Sequence, residues 1–237
     1  MVEEIRMYSF LGINEALVGM SKTLLKEGVW RTTRGKRCLE MPHPVLIEIR
    51  NPCSRIVTIP ERRWNPTLGY AESLWLALGW NNLDDLTGKY VKSLYNFSDD
   101  GHTWRAGYGP RFRYFNGTGH QYNIGKDTVE IPAGSVDQFK FVIESFKRDP
   151  ETRQAMITVA DPNKDCFTDG DLITTKDMPC TRSLHFQRSV EGKLDLIVDM
   201  RSNDILWGFS AVNVFNFTLM QEYFASMIGI PLGRYYH

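Results

Sequence analysis

The stretch MPCTRSLHFQRSVEGKLDLIVDMRSND, residues 178–204, holds both the fold signal and the chemistry. Glu191-Gly192 marks a tight turn, and the segments on either side read as two paired strands. In the second strand Leu194, Leu196, Val198 and Met200 share one face, and Asp195, Ile197, Asp199 and Arg201 share the other. Side chains alternate with a period of two, so Arg201 is aimed away from the most apolar face of its strand. Cys180 stands just ahead of the first strand, and the polar run Arg201-Ser202-Asn203-Asp204 follows the second.

Working outward, residues 212–228 read as a helix that is apolar on nearly all sides, and Gln154 to Ala160 reads as a strand. Asp161 to Lys176 is expected to be polar loop. Phe139, Val142, Ile143 and Phe146 follow the i, i+3, i+4, i+7 spacing of a helix, for which Ser135 is the expected cap. Residues 98–126, rich in glycine and aromatics, read as a long irregular loop. Thr67 to Trp80 is a mostly apolar helix carrying one acid, Glu72, and residues 45–49 are a strand. Asn14 to Glu27 is a helix with Gly28 as its C-cap, followed by a basic loop over residues 30–37. This order predicts one α+β domain over residues 1–237, a sheet covered by helices.

Composition narrows the classes of function. Lys+Arg and Asp+Glu are both 28, so the net charge is zero and the broad basic field of a nucleic-acid or anionic-membrane binder is lacking. Hydrophobic residues make up 42%, enough for a sizeable core. The four cysteines form no C-x-x-C pair and the histidines are scattered, so no zinc spacing is present and no metal is expected. A charged N-terminus without an apolar run behind it points to a reduced, cytoplasmic protein with no membrane partner.

Three clusters carry possible chemistry. Cys180 is either a small buried hydrophobe or, beside a cation, a thiolate nucleophile. Arg201 with Ser202 suits an anion such as phosphate, or forms a solvated turn. Glu72 is either an acid on the wet edge of its helix or a buried proton-transfer group with a raised pKa.

Together these motifs resemble the thymidylate synthase superfamily. Glu27-Gly28 with Arg34-Gly35 is similar to that family's phosphate-binding loop, and Ala71-Glu-Ser-Leu-Trp75 to its catalytic-glutamate helix. Gly107-Tyr108-Gly109-Pro110-Arg111-Phe112 resembles its Tyr-Gly loop, and Asp149-Pro-Glu-Thr-Arg153 the segment that sends arginines into a partner subunit. Pro179-Cys180 matches the nucleophile, Arg201-Ser202-x-Asp204 the phosphate and folate contacts, and Asn213 the residue that reads the pyrimidine edge.

The resemblance implies a mixed sheet, one face of which is used for homodimerisation. It also implies folate-dependent one-carbon transfer, methyl or hydroxymethyl, to C5 of dUMP, dCMP, UMP or CMP. Cys180, Glu72, Tyr108 and Asn213 would be catalytic, and Arg34, Arg153, Arg201 and Ser202 would hold phosphate. Asp204 would contact the co-substrate 5,10-methylenetetrahydrofolate. Thr181 stands where the synthases carry histidine, Gln154 where they carry a second arginine, and other residues occupy the place of their tryptophans near Leu94–Phe97. Cys-Thr and Met-Arg-Ser-Asn-Asp are instead similar to the phage deoxycytidylate hydroxymethylases. Asn213 fits its place only if residues 208–213 hold one extra residue. The family's sugar-binding His/Tyr strand would follow His237, so an apparently missing C-terminal segment leaves a catalytically impaired nucleotide binder as the alternative.

Overall fold

A computed structural model describes residues 6–33, 35–118, 121–129 and 131–237, and for 86–89 the backbone alone. In chain order it forms β1 (Met7–Phe10), α1 (Ile13–Glu27), β2 (Val29–Thr33), β3 (Lys36–Glu40), β4 (Leu46–Ile49), α2 (Pro66–Ala77), α3 (Leu83–Tyr90) and α4 (Tyr108–Arg113). Then come α5 (Gln138–Arg148), β5 (Met156–Thr158), α6 (Pro162–Asp165), β6 (Phe167–Thr168), β7 (Asp171–Leu172), β8 (Thr181–Arg188) and β9 (Leu194–Met200). A π-helical segment, Ile205–Asn213, leads into α7 (Val214–Ile228), and β10 (Leu232–Tyr236) follows.

Six strands make one mixed sheet in the order β1-β4-β10-β9-β8-β5. Its inner face buries Leu184, Phe186, Leu194, Leu196 and Val198 against Phe139 and Phe146 of α5 and Phe217 and Phe224 of α7. The Phe224 ring meets Phe186 and Phe139 edge-on at 4.7 and 5.1 Å, the geometry that aromatic quadrupoles favour. The alternation expected in β9 holds from Leu196 to Asp199, but Asp195 on the other face is buried too, its Oδ1 accepting from the Arg234 amide at 2.7 Å. On the opposite face His185, Gln187, Ile197 and Tyr236 are only half-buried, leaving that face partly uncovered.

Several local expectations are corrected. Residues 30–37 are not a loop: β2 and β3 pair as a hairpin, turning at Gly35, whose φ of +72° favours glycine. Asp137, not Ser135, caps α5, accepting from the Phe139 and Lys140 amides at 3.0 and 3.3 Å. The Ser135 hydroxyl bonds the Pro132 carbonyl instead. Residues 98–126 contain α4, and the stretch 161–176 contains α6 and a small hairpin whose preceding Lys164 and Asp165 are buried.

The last long helix also differs from expectation: residues 205–213 wind as a π-helix before α7 begins. Phe209 N–H donates to the Asp204 carbonyl at 2.8 Å, an i→i+5 bond. Such a turn takes up one more residue than an α-turn, and such bulges concentrate at functional sites.

Candidate active site

The hairpin does the first part of the positioning. Thr181 pairs with Met200, and Arg201 N–H donates to the Cys180 carbonyl at 2.9 Å, so residues 180 and 201 face each other across adjacent strands. The Arg201 side chain then folds back along the chain before the cysteine. Its Nε donates to the Pro179 carbonyl at 2.9 Å and its Nη2 to the Met178 carbonyl at 3.0 Å. This leaves Nη2 3.5 Å from the Cys180 Sγ and Nη1 3.4 Å from the Ser202 Oγ. The guanidinium is thus a cation and a hydrogen-bond donor beside the sulfur. Its remaining N–H groups, with the Ser202 hydroxyl, are donors for an anion.

Cys180 opens onto a cavity of about 310 Å³ whose walls also include Glu72, Tyr108, Ser202, Asp204 and Asn213. Glu72 sits on α2, which lies close against α7: a Cβ at Gly69 would stand 2.8 Å from the Phe215 ring. The wet-edge alternative for Glu72 is therefore excluded, since the residue is 9% exposed. Burial pushes its carboxyl up to about 7, against the opposing pull of a hydrogen bond with Asn216.

That shift fixes a pH dependence. Between the unfolded value of 4.5 and about 7 the folded protein keeps a proton that the unfolded chain has lost, so stability falls as pH rises. The loss amounts to about 3 kcal/mol over the whole window. Glu72→Gln removes this slope. Urea denaturation is expected to show the variant gaining on the wild type between pH 5 and pH 8.

Tyr108 opens α4, with its ring stacked on Phe217 at 6.4 Å. Its hydroxyl accepts from the Thr181 amide at 3.1 Å, and burial raises its pKa to about 12, so it stays protonated. Asn213 donates from Nδ2 to the Asn203 Oδ1 at 3.1 Å, which leaves its own Oδ1 without a partner among the described residues. Gly208 leaves room for this contact, because a Cβ there would stand 1.9 Å from the Asn203 Oδ1 and displace that side chain. Asn203 in turn contacts His237 Nε2 at 2.6 Å, and burial holds that imidazole down to about 4. Asp204 caps the π-helix through the Leu206 and Trp207 amides while lining the cavity.

Of the remaining expected phosphate ligands, one falls on a residue that is not described and one is not brought in. Arg34 lies outside the described residues. Arg153 is exposed ahead of β5 and does not line this cavity, its carbonyl meeting the His185 Nε2 at 3.2 Å. Sequence reading also missed Asp177, Trp104 and Trp207 on the cavity wall. Asp177 lies in a polar loop with no periodic pattern, and only the fold carries it to Ala106, whose amide donates to its Oδ2 at 2.9 Å. Among the described residues no cluster of His, Cys, Asp and Glu could hold a metal ion. No helix there is long and apolar enough to cross a membrane.

The walls can accept a flat heterocyclic co-substrate. Trp207 is 49% exposed and lines the cavity together with Trp104, so aromatic surface shares the walls with the thiol.

Comparison with known proteins agrees with this geometry. The family model described as thymidylate synthase matches residues 17–237. The chain is 37% identical, over 97% of its length, to the deoxyuridylate hydroxymethyltransferase of Bacillus phage SP01, and covers 57% of that protein. A protein of the same name from Pseudomonas phage M6 is 30% identical over 94% of the chain, which covers 57% of it. The thymidylate synthase of Bacillus licheniformis is 30% identical over 50% of the chain and is covered over 39% of its length. The chain thus spans little more than half the length of the phage relatives. A thiol on a cavity wall with a guanidinium beside its sulfur, an α+β fold with a mixed sheet, and a match over nearly the whole sequence lead to one conclusion: the chain belongs to the thymidylate synthase family.

Proposed function

We propose that the protein transfers a hydroxymethyl group to C5 of deoxyuridylate. The observation that carries this reading is the Cys180 Sγ, open to a cavity and 3.5 Å from the Arg201 guanidinium. As a thiolate, Cys180 adds to C6 of the pyrimidine and makes C5 nucleophilic. Arg201 and Ser202 bind the phosphate, with Arg34 of the same chain, and Arg153 reaches in from a second copy seated on the uncovered sheet face. Glu72, poised near neutrality, moves protons at C5 and the ring oxygen. Tyr108 holds the Thr181 amide and so the start of β8.

Two features favour deoxyuridylate over the cytidylate that the Cys-Thr pattern suggests. The free Asn213 Oδ1 is an acceptor for the N–H that uracil carries at N3 and neutral cytosine lacks. The two phage relatives compared above are also named for deoxyuridylate. Methylenetetrahydrofolate would supply the one-carbon unit, with Asp204, Trp104 and Trp207 as the residues placed to hold it.

Incubating the protein with C5-tritiated dUMP, dCMP, UMP or CMP and methylenetetrahydrofolate tests the reading. Tritium release and 5-hydroxymethyl product are expected with dUMP, without dihydrofolate, since only reductive methylation oxidises the folate. Release from none of the four overturns the enzymatic reading and leaves the impaired nucleotide binder.

A further inference from the structure

We propose that Asp177 is a second catalytic carboxylate, the base that takes a proton from the water completing hydroxymethyl transfer; this role rests on the reading above. Asp177 stands three residues before Cys180 and lines the same cavity. Its loop is pinned at two points: Oδ2 accepts from the Ala106 amide at 2.9 Å, and the Asp177 amide donates to the Thr175 Oγ1 at 3.0 Å. Oδ1 has no partner among the described residues and is not one of their sealed polar atoms. It is therefore a fixed acceptor open to water.

Tyr108 supplies the complement. Its oxygen already accepts from the Thr181 amide, so its own hydrogen is free to donate, and the charge of Asp177 bears on that hydroxyl. An ordered water needs at least two polar partners, and Asp177 and Tyr108 supply an acceptor and a donor on the same cavity wall. Around Asp177, burial raises the carboxyl to about 6, Arg111 and Arg105 favour its charged form, and Asp99 opposes it. Glu72, Tyr108 and Cys180 share the cavity. A carboxylate of that basicity is matched to proton transfer near neutral pH. Hydroxymethylation requires two such transfers, loss of the C5 hydrogen and deprotonation of water, and Glu72 accounts for the first.

In the step proposed, the water oxygen bonds to the exocyclic methylene carbon on C5 while Asp177 takes one water proton. The electron pair of the C5=CH2 bond passes to C5 and on to the ring carbonyl as an enolate. Collapse of the enolate re-forms C5=C6 and expels Cys180 as thiolate. No oxidant or reductant is consumed. The proton lost from C5 and the one taken from water balance the two N–H bonds left on the one-carbon donor.

Wild type, Asp177→Asn and Asp177→Glu are to be compared with dUMP, methylenetetrahydrofolate and 2-mercaptoethanol as an external trap, alongside adduct formation with 5-fluoro-dUMP. Asp177→Asn is expected to keep the adduct and C5 tritium release. Its hydroxymethyl product should fall by about 10²-fold or more, while the thioether of the trapped methylene accumulates. Asp177→Glu should recover part of the product. An unchanged ratio of hydroxymethyl product to tritium release in Asp177→Asn overturns the role, as does parallel loss of adduct, release and product. Absence of the adduct in the wild type instead removes the reading beneath it, and the inference falls with that reading.

Discussion

Replacing Cys180 by alanine is expected to lower C5 tritium release from dUMP by at least about 10⁴-fold, the scale on which removal of a covalent nucleophile acts. The side chain is small and half-buried, and its sulfur makes only long contacts, 3.5 Å to Arg201, 3.8 Å to Ser202 and 3.9 Å to the Met178 carbonyl. The hairpin that positions it is held by backbone pairing from Thr181 to Arg188, which the substitution does not touch. Folding and nucleotide binding should therefore survive. Binding of dUMP measured by calorimetry, beside the tritium assay, separates the loss of chemistry from a loss of structure. Residual release in Cys180→Ala close to wild type would show that the thiol is not the nucleophile.

The second large effect is expected at Arg201. Its guanidinium makes two hydrogen bonds to the Met178 and Pro179 carbonyls and also stands beside both the thiol and the Ser202 hydroxyl. Arg201→Ala loses charge-assisted bonds to phosphate at about 1.5–3 kcal/mol each, and the cationic neighbour of the thiol as well. Affinity for dUMP should drop by about 10²–10³-fold, the equivalent of about 3–4 kcal/mol. Arg201→Lys keeps a charge but cannot hold both carbonyls and the anion with one ammonium, so it should recover only part of the affinity. Retention of wild-type affinity in Arg201→Ala would remove it from the phosphate site.

Much of this was legible in the sequence because strong local patterns agreed with the fold. The period-two alternation of β9 and the turn at Gly192 locate the central hairpin, and its ends locate Cys180 and Arg201. Glu72 stood out as an acid in an apolar helix, and its burial follows from the close approach of α2 to α7. What escaped has physical causes. Strand β2 is exposed along its whole length, and β3 is exposed or half-buried, with Arg31, Lys36 and Arg37 in the run, so no apolar alternation marked the hairpin. Ser135 and Asp137 are both good caps; the choice fell to Asp137 because Val136 is held extended by its bridge to Phe115. The π-helix has the composition of an ordinary apolar helix, and Asp177 gains its meaning only from Ala106, which the chain brings across from a distant loop.

Intact-mass spectrometry of the wild-type protein with 5-fluoro-dUMP and methylenetetrahydrofolate tests the nucleophile most directly, because fluorine at C5 cannot leave as a proton does and the adduct stalls. A stable mass increase equal to nucleotide plus folate, mapped by peptide analysis to Cys180 and absent from Cys180→Ala, is the expected result. An unmodified mass under saturating nucleotide, or an adduct on another residue, contradicts the assignment of Cys180 as the group that opens the pyrimidine double bond.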